Sequence, residues 1–229
     1  MTIINTSHHF IYVHIPKAAG TSVKHFFSTW TRYCDVEVGG MHEAEIIAPY
    51  YIKRFKLAKH SFAREIRKAM GRADFAEFFK FSIVRNPFDR TISTFKFLKY
   101  NWRAWKDSAI MDQFSTLDEF VTSEFFKSAG PDRILMPQFR WLVENEDRLC
   151  VDYIGHVETL ERDLAHICKT LKLHASGSVE RKNTSKLAPD AQKHDDLSGK
   201  AIDAIRRRYA LDFKNLNYSR DPAEKTSGA

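Results

Sequence analysis

The sequence predicts an α/β fold, a central parallel sheet of about four to five strands flanked by helices. Three observations carry it. Phe10 to Ile15 is apolar or aromatic except for His14, and Ile11, Val13 and Ile15 are β-branched, which suits a strand buried on both faces. From Ser22 the period changes, with Val23, Phe26, Phe27 and Trp30 on one helical face. Similar strand-to-helix units then recur along the chain, and such units favour parallel strands joined by right-handed crossovers.

In the first unit, Pro16 ends the strand and Lys17-Ala18-Ala19-Gly20-Thr21-Ser22 leads into the helix. Small residues let backbone approach an anion, a helix N-terminus presents N–H groups, and Lys17, Thr21 and Ser22 add a charge and two hydroxyls. An anion site and a ligand-free strand-turn-helix both satisfy this pattern. The order is not that of a nucleotide triphosphatase loop, which places Lys after its last Gly, whereas Lys17 precedes Gly20.

Residues Cys34 to Gly40 read as an irregular link. A short second strand is expected around Phe55 to Ala58, then Ser61 as N-cap of a helix with Phe62, Ile66 and Ala69 on one face and Gly71 as its stop. His60 would then lie at a strand's carboxyl end, where open α/β sheets bind ligands. A structural histidine is the alternative.

The third unit is FKFSIV, Phe79 to Val84, broken by Arg85-Asn86-Pro87, with Pro87 suited to a first helical turn. Arg85 projects from the strand end and Ser93 lies two turns into the helix, so the pair could grip one phosphate. Pairing of Arg85 with Asp89 is the alternative. Thr116 and Glu119 form a capping box, Gly130-Pro131 marks a turn, and Pro137 can open a helix carrying Gln138 and Trp141. Tyr100, Trp102 and Trp105 could stack on a sugar ring or simply pack.

Val151 to Val157 is a further strand, and Thr159 caps a helix with Leu160, Leu164, Ile167 and Leu171 inward. Glu158 and Asp163 are assigned a structural role. The loop SVERKNTS places Arg181, Lys182, Asn183, Thr184 and Ser185 together, chemistry suited to a nucleotide's phosphate rim. Residues 197 to 210 form a last amphipathic helix, with Arg206-Arg207-Arg208 read as its solvated edge.

The 229 residues suffice for one domain, and no Pro/Gly/Ser-rich linker divides them. Residues 1–9 and 220–229 are expected to be flexible tails. Lys and Arg number 36 against 29 Asp and Glu, a net charge of +7 that favours anionic partners. No nucleic-acid motif accompanies that charge, so nucleic acid is excluded as a partner. Cys34, Cys150 and Cys168 form no C-x-x-C, and the ten His form no H-E-x-x-H, so reduced, mostly buried thiols and no metal site are expected. No run reaches the roughly 20 apolar residues of a membrane span, and Met1 leads into polar residues, so a cytoplasmic chain is expected.

The P-K-x-x-G-T-S order from Pro16 to Ser22 resembles the 5′-phosphosulfate loop of sulfotransferases that use 3′-phosphoadenosine 5′-phosphosulfate (PAPS). FSIVRNPFDRTIST resembles their 3′-phosphate segment, especially in the carbohydrate branch with the heparan sulfate 2-O-, chondroitin and HNK-1 enzymes. MPQFRWL, DYIGHVETLERDL, the Asn183-Thr184-Ser185 loop and YALDFKNLNY are similar to later family segments, so the likeness spans about Phe10 to Tyr218. Ala18-Ala19 departs mildly from relatives that often carry Thr-Gly.

The resemblance implies a P-loop-like, three-layer fold and sulfuryl transfer from PAPS, without a metal, to a hydroxyl of a glycan or glycoconjugate in a soluble, bacterial-type enzyme. By resemblance, Lys17 is catalytic, the residues from Lys17 to Ser22 hold the 5′-phosphosulfate, and Arg85 and Ser93 hold the 3′-phosphate. Arg181 to Ser185 close over the donor. His60, in a K-H-S-F context, resembles the catalytic histidine of the 2-O-branch. His14 and Glu158, each near a strand end, stay open as alternative bases. A small-molecule kinase with a variant P-loop and a catalytically silent nucleotide-binding module are the rival readings.

Overall fold

The computed structural model describes residues 1–40, 42–101, 108–128, 133–145, 148–174 and 197–224. In chain order its elements begin with β1 (Thr2–Asn5), β2 (Phe10–Val13), α1 (Gly20–Phe27), β3 (Val36–Val38), α2 (His42–Phe55), α3 (Ala63–Met70) and α4 (Arg72–Glu77). They continue with β4 (Phe79–Val84), α5 (Pro87–Lys96), α6 (Ser108–Asp112), α7 (Leu117–Thr122), α8 (Glu124–Ser128) and α9 (Phe139–Leu142). The last are β5 (Tyr153–His156), α10 (Leu160–Thr170), α11 (Gly199–Arg208) and α12 (Ala210–Asn215). The chain divides into two compact units, one formed by Met1–Val84 and the segment from Arg140, the other by Arg85–Phe139 and the C-terminal segment.

The first unit holds the sheet, in the order β3-β1-β2-β4-β5. The expected parallel core is present as β2, β4 and β5, with Phe10 opposite Phe79 and Phe81 opposite Tyr153. Two antiparallel strands extend it, β1 against β2 and β3 against β1. Phe10, Tyr12, Phe81 and Ile83 from the sheet, Val23 and Phe27 from α1, and Leu164 and Ile167 from α10 form one buried cluster. The Phe27 ring sits 5.1 Å from that of Phe10 and 5.4 Å from that of Phe81, which fixes α1 on the sheet.

Several expectations are corrected here. Residues 1–9 are not a loose tail, because Met1 to Ile4 are buried and β1 lies inside the sheet. Its polar residues tolerate burial through side-chain bonds. Thr2 Oγ1 donates to the Ala58 carbonyl at 2.8 Å, and Asn5 Oδ1 accepts the His8 N–H at 2.7 Å. Cys34 to Gly40 contains β3, and Cys34 is exposed while only Cys168 is fully buried.

No strand forms at Phe55 to Ala58. That stretch is the end of α2 and the turn after it, and β1 takes the sheet position beside β2. Ser61 accepts the Ala58 N–H at 2.8 Å in that turn, while the Glu65 carboxylate caps the Phe62 N–H at 2.9 Å. The strand expected from Val151 shortens to β5 and passes through a 3₁₀ turn, Val157–Thr159, into α10.

The second unit is helical, its core built from aromatic contacts such as Phe88 with Phe213 at 5.3 Å and Phe95 with Phe120 at 5.3 Å. The capping box forms as expected, Thr116 Oγ1 accepting the Glu119 N–H at 3.2 Å. The last helix is divided at Tyr209, a buried residue between α11 and α12. Arg206-Arg207-Arg208 is not simply a solvated edge. Arg206 Nε donates to the Arg220 carbonyl at 2.7 Å, and Arg208 Nε donates to the Leu135 carbonyl at 2.9 Å with its guanidinium over Phe126. Of the expected tail, residues 225–229 lie outside the described residues, and within the rest the Glu224 N–H donates to the Asp221 carbonyl at 3.2 Å.

Candidate active site

In the first unit the site begins where β2 ends. Lys17 and Ala19 both adopt the left-handed region, with φ of 65° and 56°, a conformation that costs a non-glycine residue about 1 kcal/mol. Such strain marks a loop held in shape by its surroundings. Ala19 accepts the Val23 N–H at 3.1 Å, so α1 opens at Gly20, earlier than its apolar period suggests. The N-cap residue, Ala19, has no side chain to cap α1 and no acid lies in its first turn, which leaves that end electropositive. Lys17 is half-buried, Thr21 exposed and Ser22 buried.

Gly20 is required by contact rather than by φ. A Cβ there would lie 1.8 Å from Nε2 of His14, so the imidazole rests directly on the start of α1. His14 follows the last residue of β2 and is buried, and its Nδ1 meets the Met1 nitrogen. Burial holds its pKa well below the ordinary histidine range, so the ring is neutral at physiological pH.

The His60 ring lies 4.4 Å from that of His14, and Trp141 meets its edge at 6.2 Å. His60 Nδ1 is 3.3 Å from the His14 carbonyl oxygen. A carbonyl only accepts, so that contact assigns the proton to Nδ1 and leaves the lone pair on Nε2. His60 therefore does not end a strand of its own. It comes from the α2–α3 connection and still reaches the carboxyl end of β2 through His14. Sequence reading held His14 only as an alternative base, whereas the fold makes it the residue shared by the glycine turn and His60.

Arg85 and Ser93 belong to the second unit and both are half-buried. The turn that presents Arg85 is braced at both ends. Asn86 Oδ1 accepts the Phe88 N–H at 2.9 Å, with Pro87 in the first helical turn. Gln138 accepts the Arg85 N–H at 2.9 Å and donates to the Arg85 carbonyl at 2.7 Å. Asp212, fully buried, accepts the N–H groups of Gln138 and Phe139, each at 2.9 Å, and burial raises its pKa. Gln138 is thus a brace for Arg85, a role its sequence alone did not reveal. Arg90 is wholly buried and donates to the carbonyls of Met136 and Ile134, a structural role.

Asp163 is also structural. It accepts from the His156 N–H at 2.7 Å, the Thr159 hydroxyl at 2.8 Å and the Tyr153 hydroxyl at 3.0 Å, organising the β5–α10 turn. Glu158 is exposed. Arg181, Lys182, Asn183, Thr184 and Ser185 lie outside the described residues, as do Trp102, Trp105 and Gly130-Pro131. Tyr100 lies in a π-helical turn, Phe97–Asn101.

The model of the sulfotransferase family matches residues 1–219, nearly the whole chain. The chain belongs to the sulfotransferase family. Neither curated proteins nor solved structures gave a match. Family membership makes this a transferase of sulfuryl groups, and the α/β architecture, with its loop from strand to helix, accords with it. No helix among the described residues of this sulfotransferase is long and apolar enough to cross a membrane.

Proposed function

We propose that this sulfotransferase moves the sulfuryl group of PAPS to a carbohydrate hydroxyl, with Lys17 and His60 as its catalytic residues. The acceptor oxygen attacks sulfur in line, an S–O bond forms, and the bond from sulfur to the bridging phosphate oxygen breaks. The acceptor proton passes to Nε2 of His60, and 3′-phosphoadenosine 5′-phosphate leaves. Lys17, the backbone N–H groups around Gly20 and the hydroxyls of Thr21 and Ser22 hold the 5′-phosphosulfate and offset charge on the leaving oxygen. Arg85 and Ser93 hold the 3′-phosphate that separates this donor from ATP. Arg181, Lys182, Asn183, Thr184 and Ser185 complete the donor's binding loop, an assignment taken from their sequence.

The observation that supports this reading most is the contact of His14 with both Gly20 and His60, since it joins a candidate base to an anion-binding turn within one unit. The test is transfer of labelled sulfate from PAPS to a panel of glycans and small hydroxyl compounds, with the product identified by mass spectrometry. Transfer to a glycan is expected. Stabilisation by ADP or ATP in preference to 3′-phosphoadenosine 5′-phosphate would overturn the reading.

A further inference from the structure

The geometry points to a second anion site in the first unit, a cleft at the amino ends of β4 and β5 that takes a small organic phosphate or sulfate ester. Strands β2 and β4 run parallel, so the loop after β2 leaves the carboxyl edge of the sheet. Lys80 is the second residue of β4 and Asp152 immediately precedes β5, which puts this cleft at the opposite edge. Its volume is about 270 Å³, enough for a compact ester.

The charge of the lining selects the ligand. Arg67, Arg72, Lys80 and Arg148 face the cleft against two carboxylates, Glu144 and Asp152. Arg67 pairs with Glu144, Arg148 lies 3.5 Å from the same carboxylate, and Lys80 pairs with Asp152 at 3.0 Å. Among the described residues no hydrogen bond or ion pair reaches Arg72, whose charge adds to the Arg67 hydrogen bond in holding the Glu144 carboxyl below the usual carboxylate range. Among the described residues, four cations of the lining thus face two anions. The adjoining depression uses Arg67 and Arg72 again and adds Arg64, Lys68 and Glu65, so the excess positive charge continues beyond the rim. Guanidinium groups clustered in this way match an oxyanion through paired donors.

The other wall suits an organic body rather than a bare ion. Phe75 and Leu149 line the cleft, and Leu149 is 47% exposed, one of the few large apolar side chains at the surface. The Lys80 ammonium lies 5.5 Å from the centre of the Phe75 ring, which holds its charge over that wall. None of these residues belongs to the proposed donor site, so this inference stands or falls independently of it.

The test is an amide NMR titration of the full chain with phenyl phosphate and, separately, inorganic phosphate. Signals of Lys80, Cys150 and Val151 are expected to shift along one saturable curve, at lower concentration for phenyl phosphate. Arg72→Gln with Arg148→Gln, both exposed, should weaken that curve roughly tenfold, and Lys17→Ala should leave it unchanged. If the double variant loses its dispersed spectrum, Arg72→Gln alone carries the comparison. Absence of saturable shifts at these three residues, shifts unaffected by the arginine substitutions, or loss of the shifts in Lys17→Ala would each overturn the proposal.

Discussion

The carbonyl oxygen of His14 lies 3.3 Å from Nδ1 of His60, and the two imidazole rings, tilted at 41°, have their centres 4.4 Å apart. One histidine thus directs the proton of another through its backbone while its ring fills the space above Gly20. Removing the His60 imidazole should slow the chemical step by about 10²- to 10⁴-fold. His60→Ala is expected to do so with donor affinity intact. Pre-steady-state turnover would check it, and an unchanged chemical step would remove His60 from the mechanism.

Gly20→Ala would drive a methyl into His14 Nε2. Backbone on one side and a buried ring on the other leave little room to relax, so a loss of about 1–3 kcal/mol in stability is expected. The double variant with His14→Ala should recover part of it. A double-mutant cycle by urea unfolding measures the coupling, and strict additivity would mean the two residues do not press on each other.

His14 makes stability depend on pH. Its folded pKa is depressed by burial while the unfolded value is about 6.5. Below about pH 6.5 the unfolded chain therefore binds the extra proton and stability falls as pH falls, by about 1.4 kcal/mol per pH unit until the folded pKa is reached. Above that pH the contribution is fully present. The stability difference between the wild-type chain and His14→Gln, measured from pH 7.5 to 5.5, should change with this slope. A pH-independent difference would show that His14 does not carry the effect.

Gln138→Ala would leave the Arg85 N–H and carbonyl without their side-chain partner. About 1–3 kcal/mol of stability should be lost, together with affinity for 3′-phosphoadenosine 5′-phosphate. Calorimetric titration beside urea unfolding separates the two effects, and full affinity in the variant would mean that the brace does not position Arg85.

Arg85→Lys keeps the charge and loses the paired donors. It should weaken 3′-phosphoadenosine 5′-phosphate about tenfold and leave adenosine 5′-phosphosulfate, which lacks the 3′-phosphate, unaffected. Competition binding with both nucleotides decides it. Equal losses would assign Arg85 to some other part of the donor.

The segments that could be read from sequence are those in which composition and period agree. Phe10 to Phe27 and Phe79 to Phe95 each join an apolar run to a helical period through a turn with its own chemistry, and both fold nearly as expected. Thr2 and Asn5 defeated the reading because their polarity is satisfied by partners far along the chain, Ala58 and Asp35. Phe55 misled because a short apolar run does not distinguish a strand from a helix end. The position of His14 near a strand end is legible, but its contact with Gly20 and His60 is not, since that exists only once the chain has folded.

The order of the sheet also has a consequence for how the protein forms. Its antiparallel half, β3-β1-β2, is complete within the first 38 residues, with β1 and β2 joined by a short loop and β3 returning to β1 after α1. The parallel half needs Phe79 to find Phe10 and Tyr153 to find Phe81, which are slow, long-range searches. Nucleation therefore favours the N-terminal ribbon, and during synthesis β2 is paired on one edge while its other edge waits for β4. The turn from Lys17 to Ser22 follows β2, whose last residue gains the Ser82 hydroxyl as a partner of its carbonyl, at 2.7 Å, only when β4 pairs.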